Sequence, residues 1–159
     1  MLFIFDLDHT TIDSSHRCNT LSDGSLDLAR WRENSTPEMI GRDTLLPLGL
    51  EWRDLYSRTP ALKIAVITAR VMGDADMQYL HDNGLRYDYI YSRTEGDNSP
   101  DAALKCIALY SLGRKMGRSI KWMQQFAYFW DDNKKVLEMG SDLGINMLNS
   151  TLTNKRLQK

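Results

Sequence analysis

The sequence predicts an α/β fold built around a parallel sheet of about five strands. The first observation is a short run of branched and aromatic residues, Leu2–Phe5, which is typical of a buried strand. The second is that strand-like runs recur along the chain, at Leu62–Thr68, Tyr87–Arg93, Gln125–Trp130 and, more briefly, Ile145–Asn149. The third is that helical segments separate these runs, as parallel strands require. The 159 residues suffice for one domain with a sizeable core, expected over 1–150.

The predicted helices follow from apolar spacing and from residues that start or stop helices. Pro or Gly residues lie near several of the expected ends. The expected helices are Asp43–Tyr56, Gly73 to about Asn83, Ser99 to about Met116, and about Asn133 to Gly140.

Residues 14–43 fit neither a strand nor a long helix, and we expect a flap or a small cap insertion. Within them, residues 22–25 predict a turn and Thr36-Pro37 predicts a helix start. The last residues, 151–159, are polar and basic and are expected to form a frayed tail.

Composition restricts the partners of the protein. With 20 Lys and Arg against 21 Asp and Glu, the formal charge is −1, so any nucleic-acid contact needs a local basic patch. The two cysteines, Cys18 and Cys106, do not suggest a disulfide framework, and a reducing compartment is the simpler expectation. No signal peptide or membrane-spanning run is apparent. We therefore expect a cytoplasmic protein without membrane association or an obligate protein partner.

Paired acidic residues follow two of the predicted strands. Asp6 and Asp8 come after Leu2–Phe5, and Asp131-Asp132 come after the run that ends at Trp130. Ligands of open α/β sheets bind at the carboxyl ends of the strands. Like charges held this close together favour a bound cation, and Mg²⁺ prefers carboxylates together with water and phosphate oxygens.

These residues carry a resemblance to a known family. The segment Phe5-Asp-Leu-Asp-His-Thr10 resembles the first motif, D-x-D-x-T, of the haloacid dehalogenase (HAD) superfamily of phosphohydrolases. Thr68, Lys105 and the pair Asp131-Asp132 match the later motifs in the required order. The resemblance implies a three-layer, Rossmann-like domain with helices on both faces of the sheet and little or no cap.

The resemblance also implies roles in phosphoryl transfer. Asp6 would attack phosphorus and form an aspartyl-phosphate, and Asp8 would protonate the leaving oxygen and then activate water. Thr68 and Lys105 would hold the transferring oxygens.

Further roles concern the metal and the substrate. The predicted metal ligands are Asp6, Asp8 (through its backbone carbonyl), Asp131 and Asp132. Of the last two, Asp131 would bind Mg²⁺ directly, and Asp132 would bind it through a water or orient Lys105. Thr10 and Arg70 are assigned to substrate binding. Thr10 would brace the loop, and Arg70 is equally consistent with a salt bridge at the protein surface. Lys105 could instead be a solvated helix lysine, in which case Arg93 would replace it.

The substrate is expected to be phosphorylated, either a nucleic-acid end or a nucleotide. Residues 26–45 and the later Val-Ile-Thr-Ala-Arg70 resemble the phosphatase half of phage-type polynucleotide kinase-phosphatases, which remove 3′-phosphates. A basic set near a tryptophan is compatible with this: Arg114, Lys115, Arg118 and Lys121, with Trp122. The alternatives are a nucleotidase acting on small molecules and, more distantly, a non-catalytic binding module.

Overall fold

The computed structural model describes residues 1–24 and 26–159, so Ser25, the last residue of the turn predicted at 22–25, lies outside the described residues. In chain order the elements are β1 (Leu2–Phe5), β2 (Ile12–Asp13), a 3₁₀ turn (Ser15–Arg17), α1 (Leu28–Glu33), α2 (Pro37–Ile40), β3 (Thr44–Leu45), α3 (Pro47–Arg58), β4 (Lys63–Ile67), α4 (Asp74–Asp82), β5 (Tyr89–Tyr91), α5 (Asp101–Met116), α6 (Ile120–Phe126), β6 (Ala127–Asp131), α7 (Lys134–Asp142), β7 (Asn146–Asn149) and α8 (Ser150–Leu157). Among the described residues, no helix is both long and apolar enough to cross a membrane.

The central sheet contains five strands in the order β5-β4-β1-β6-β7, and every neighbouring pair is parallel. The first strand lies in the middle, where Phe3 pairs with Ile64 of β4 and with Tyr128 of β6. A second, antiparallel ribbon joins β2 to β3. The predicted parallel sheet is confirmed, and its central strand is the one that leads to Asp6.

Both faces of the sheet are covered, as a three-layer fold requires. Alternate residues of β1 point to opposite faces, because side chains along a strand alternate. Leu2 and Ile4 pack into a core with α5, α6 and α7, whereas Phe5 packs with α2, α3 and α4. On this second face Phe5 stacks against the fully buried Trp52 with ring centroids 5.1 Å apart. The predicted α/β architecture with helices on both faces is confirmed.

Two predicted boundaries are wrong for local reasons. The helix expected from Asp43 begins at Pro47, because Thr44 and Leu45 pair with β2 instead. Pro47 occupies the first helical turn, where its missing N–H is not needed. The strand expected from Gln125 begins at Ala127, because residues 120–126 form α6, whose Ser119 cap accepts a hydrogen bond from the Trp122 N–H.

Residues 14–43 fold as short helical pieces rather than as a separate layer. Helix α2 has the predicted start, since the Thr36 side chain caps it and Pro37 is in its first turn. The fully buried Arg17 donates to both carboxylate oxygens of Asp43, at 3.0 and 2.7 Å. This guanidinium lies over the Trp31 ring, with its central carbon 4.4 Å from the ring centroid. The segment is thus tied together by a buried ion pair.

The expectation of a frayed tail is wrong, because residues 150–157 form α8, which packs against α3. Asn154 is 7% exposed and bonds in two directions. Its carbonyl oxygen accepts from the Leu48 N–H at 2.8 Å, and its amide donates to the Thr10 carbonyl at 2.9 Å. One polar side chain thereby satisfies a donor at the start of α3 and holds the loop after β1. Composition alone did not reveal this anchor.

Gly49→Ala is expected to destabilise the fold by about 1–3 kcal/mol, because a Cβ at this position of α3 would collide with the backbone carbonyl of Thr11. Chemical denaturation measures the change in the free energy of unfolding. Gly73→Ala is the control, since its Cβ would lie 3.8 Å from the nearest atom, on Asp76. Equal stabilities of the two variants would contradict the close approach of α3 to the loop after β1.

Candidate active site

The predicted site residues converge at the carboxyl edge of the central sheet. Asp6 follows β1, Thr68 follows β4 on one side, and Asp131 ends β6 on the other. These strands are neighbours, so their ends meet in one crevice. Asp6, Thr68 and Asp131 are all nearly or fully buried. Residues spread over more than a hundred positions of sequence are therefore brought into one site.

A lysine and two carboxylates form the floor of this crevice. Lys105, in the second turn of α5, places Nζ 2.9 Å from an oxygen of Asp6 and 2.7 Å from an oxygen of Asp131. The lysine is 2% exposed. Although burial opposes its charge, the two carboxylates raise the pKa of Lys105 above its ordinary value. Lys105 is therefore a buried cation in the position predicted for it, not a solvated helix lysine.

A carboxylate cluster beside the lysine fits a divalent cation. Oxygens of Asp6, Asp131 and Asp132 lie within 4.8 Å of one another. Burial raises the pKa of Asp6 to about 7 despite the opposing charge of Lys105, and burial also raises the pKa values of Asp131 and Asp132. A hard cation would relieve the repulsion and desolvation that cause these shifts. The donor set of oxygens therefore suits Mg²⁺, and it contains three of the four predicted ligands.

The carboxylate of Asp8 is not part of this cluster and faces Arg70 instead. Both of its oxygens accept from this guanidinium, one of them from Nε at 3.1 Å. The Ser14 hydroxyl donates to the same carboxylate at 2.7 Å. Although burial opposes ionisation, Arg70 and Ser14 hold the pKa of Asp8 below its usual range. Asp8 is therefore an anion at neutral pH, whereas burial raises the pKa of its neighbour Asp6.

Arg70 is the centre of a buried ion network. Besides Asp8, its guanidinium donates to Asp76 at 2.8 Å and approaches Asp43 at 3.4 Å. Its side chain is 2% exposed. The same Asp43 binds Arg17, which links the network to residues 14–43. Arg70 is thus a salt-bridge partner, but a buried one and not the surface partner that was the alternative interpretation, and a phosphate contact stays a prediction.

The threonines have different surroundings. The Thr68 hydroxyl oxygen accepts from the Arg70 backbone N–H at 3.1 Å, and a hydrogen bond from this hydroxyl to a phosphoryl oxygen stays a prediction. Thr10, assigned to substrate binding, is fully buried, and its hydroxyl lies 3.1 Å from that of Ser150. Its position suits bracing rather than contact with substrate. Thr11 stabilises the loop from within, because its hydroxyl donates to the Asp6 carbonyl at 2.9 Å.

Arg93, the substitute for Lys105, lies elsewhere. It donates to the backbone carbonyls of Ala69, Asp97 and Ser99 and pairs with Asp101. It thereby fastens the loop before α5 and does not reach the carboxylate cluster. Sequence reasoning missed the network residues Arg17, Asp43 and Asp76, since no local spacing connects them to Asp8.

Comparison with known proteins places this geometry in a family. The family model of the bacteriophage T5 5′-deoxynucleotidase matches residues 1–159. The chain belongs to this family. Within it, the 5′-deoxynucleotidase of Escherichia phage T5 is 39% identical over 88 residues, which cover 54% of the chain and 36% of that relative. The matched part thus spans about a third of the length of the phage T5 relative.

Solved structures confirm the predicted HAD fold. A haloacid dehalogenase-like hydrolase from Streptococcus pneumoniae superposes with a TM-score of 0.66 at 13% identity, covering 97% of this chain and 90% of its own. A HAD-superfamily hydrolase from Geobacter sulfurreducens gives 0.62 at 13% identity, with coverages of 92% and 86%. The Pnkp1/Rnl/Hen1 RNA repair complex gives 0.58 at 16% identity, covering 92% of this chain and 41% of the matched chain. At such identities the likeness concerns the fold alone.

Proposed function

We propose that this member of the 5′-deoxynucleotidase family is a Mg²⁺-dependent phosphatase that hydrolyses the 5′-phosphate of deoxynucleoside monophosphates through an aspartyl-phosphate. The observation that carries the proposal is the contact of Lys105 with both Asp6 and Asp131 inside a cluster of three carboxylates. A buried nucleophile, a buried cation and a metal-ligand set at one strand edge are the parts that phosphoryl transfer needs.

In the first step, an oxygen of Asp6 forms a bond to phosphorus while the bond from phosphorus to the leaving oxygen breaks. Lys105 offsets the negative charge of the transferring group, and Thr68 donates its hydroxyl hydrogen to one of the phosphoryl oxygens. A Mg²⁺ ion held by Asp6, Asp131 and Asp132 would supply further positive charge against the repulsion between carboxylate and phosphate. The leaving oxygen takes a proton, which the resemblance assigns to Asp8.

In the second step, a water molecule attacks the phosphorus of the aspartyl-phosphate, and Asp6 leaves as a carboxylate. Asp8 takes the proton of this water. Its pKa is held low by Arg70, so that it is ready as a proton acceptor at neutral pH. The earlier donation of a proton requires Asp8 to be protonated, and this requires a weaker pairing with Arg70 while substrate is bound. Arg70 therefore belongs to the mechanism through its control of Asp8.

Two arguments favour a nucleotide over a nucleic-acid end. The phage T5 relative is named as a 5′-deoxynucleotidase, and the family model matches the whole chain. The basic set expected to bind nucleic acid begins at Arg114, nine residues after Lys105 on α5, which corresponds to about 14 Å along the helix. Arg118 packs over Trp122, 5.2 Å from its ring centroid, and this ring packs against the core. The basic set thus lies toward the other end of α5 from the crevice.

We expect phosphate release from deoxynucleoside 5′-monophosphates to exceed that from a 3′-phosphorylated oligonucleotide by at least about tenfold in kcat/KM, a difference of about 1.4 kcal/mol. Removal of Mg²⁺ with EDTA should abolish release, and added Mg²⁺ should restore it. The nucleotide rate should depend little on salt, whereas binding of a polynucleotide weakens steeply with salt.

The control variant is Arg118→Ala, which removes a basic residue far from the crevice and should leave the nucleotide rate unchanged. A preference for the oligonucleotide that fades with salt would instead support the 3′-phosphatase function. Absence of phosphate release from every substrate would favour the non-catalytic binding module.

A further inference from the structure

His9 has a backbone conformation that its side chain does not favour. Its φ is 57°, and it is the only non-glycine residue with positive φ in the described ranges 1–24 and 26–159. Such a conformation costs about 1–2 kcal/mol for a residue with a Cβ, and strained residues concentrate at functional sites. Glycine would adopt the same conformation without this strain.

The turn that follows Asp8 imposes this conformation. The His9 N–H donates to the carbonyl of Ile12 at 2.9 Å, and the N–H groups of Thr10 and Thr11 donate to the carbonyl of Leu7 at 3.2 and 2.9 Å. The backbone is therefore fixed, whichever side chain position 9 carries. The His9 side chain itself is exposed, and its ring nitrogen has a weak contact, 3.6 Å long, with the Cys18 sulfur. Packing does not explain why a histidine occupies this strained position.

The imidazole lies at the mouth of the crevice. On one side is Cys18, which belongs to residues 14–43. On the other side is Asp8, which directly precedes His9 and lies two residues after Asp6 of the carboxylate cluster. The His9 ring does not belong to the cluster that could hold a metal ion, which consists of Asp6, Asp131 and Asp132 among the described residues.

A substrate whose phosphate lies on the floor formed by Lys105 and Thr68 must extend outward past this ring. The floor is buried, so the part of the substrate beyond the leaving oxygen has to point toward the exposed mouth. Position 9 directly follows Asp8, the residue assigned to the leaving oxygen. An imidazole there can donate or accept one hydrogen bond and offers a flat aromatic face, both of which suit a nucleoside.

We infer that His9 contacts the nucleoside part of the substrate and is a specificity-determining residue, which favours nucleotides over phosphate esters with small leaving groups. The inference rests on the proposed nucleotidase function and names the residue through which that site recognises its leaving group. It explains why a strained, exposed histidine is found where glycine would suit the backbone better.

The test compares the wild type with His9→Gly on a deoxynucleoside 5′-monophosphate and on phenyl phosphate, which lacks sugar and nucleobase. We expect KM for the nucleotide to rise about tenfold in the variant, a loss of about 1.4 kcal/mol of binding, with a much smaller change in kcat. The change for phenyl phosphate should be at least fivefold smaller. His9→Asn, which tolerates positive φ, should give an intermediate KM. His81→Asn, at an exposed histidine of α4, is the control for loss of an imidazole elsewhere.

The outcomes separate the inference from the proposed function. A wild type that hydrolyses phenyl phosphate but no nucleotide would overturn the proposed function and the inference together. A wild-type nucleotidase in which His9→Gly affects both substrates equally, or neither, would overturn the inference alone. Thermal denaturation accompanies the assay, and a Tm within a few degrees of the wild type is expected, because glycine relieves the strain of position 9 but also frees the unfolded chain.

Discussion

Asp6→Asn is expected to lower phosphate release by about 10³-fold or more, because the amide cannot form the bond to phosphorus that the carboxylate forms. The assay measures kcat and kcat/KM with a deoxynucleotide at saturating Mg²⁺. The control is Asp82→Asn, which changes a carboxylate that is 60% exposed at the end of α4 and should retain the wild-type rate. Activity of Asp6→Asn within tenfold of the wild type would rule out Asp6 as the nucleophile.

The same variant should be more stable than the wild type when metal is absent. Burial raises the pKa of Asp6 from 3.8 to about 7, so the folded protein holds this proton more tightly than the unfolded chain does. The wild type therefore loses stability as pH rises from about 4 to about 7, and a neutral asparagine avoids this loss. In EDTA, the Tm difference in favour of Asp6→Asn should be larger at pH 8 than at pH 5. Loss of activity together with a gain in Tm would show that catalysis was removed without unfolding.

Arg70→Ala is expected to have the largest effect on stability. It leaves Asp8, Asp76 and Asp43 in or near the interior without the guanidinium that they share. Removal of one partner from a buried ion pair typically costs about 3–5 kcal/mol. For a domain of this size we expect a Tm lower by roughly 10 °C. Differential scanning calorimetry measures this change, and Arg114→Ala, at an exposed arginine of α5, is the matched control.

A conservative variant separates positioning from folding. Arg70→Lys keeps the charge but cannot donate to both oxygens of Asp8 while also holding Asp76. We expect it to fold, to lower kcat by about 10- to 100-fold, and to raise the pKa of the acidic limb of the pH–rate profile, because Asp8 loses part of its stabilisation as an anion. If Arg70→Lys has a wild-type pH–rate profile, Arg70 does not act through Asp8.

The strand-end residues were predictable because each of them depends on a local pattern. A buried apolar run followed by an acid or a hydroxyl occurs at Asp6, Thr68 and Asp131, and the parallel arrangement of strands then brings their ends together. Lys105 was assigned through its resemblance to a motif lysine near the start of this helix, and the structure places its Nζ beside Asp6 and Asp131. For the strand-end residues, local sequence and the rules of sheet topology were sufficient to predict one shared edge of the sheet, whereas their roles came from the resemblance.

The network around Asp8 was not predictable in this way. Arg17, Asp43 and Asp76 are far apart in the chain, and each would pass for a solvated charge in sequence. They become buried partners of Arg70, or of each other, only after residues 14–43 and α4 pack on the same edge of the sheet. The role of such a charged residue depends on the residues that it contacts, and these contacts are known only from the tertiary structure.

The C-terminal helix α8 likewise could not be predicted from local sequence. Residues 151–159 are polar and basic, and helix propensity in so short a segment is weak. Their order comes from α3 and from Asn154, which bonds to Leu48 and Thr10. The sequence alone thus determined the parallel sheet and the acidic and hydroxyl residues at its strand ends, since these depend on hydrophobic pattern and chain order. The tertiary structure decided which charges neutralise one another and which polar segment becomes an anchor, because buried ion pairs and hydrogen bonds form between residues that sequence distance does not relate.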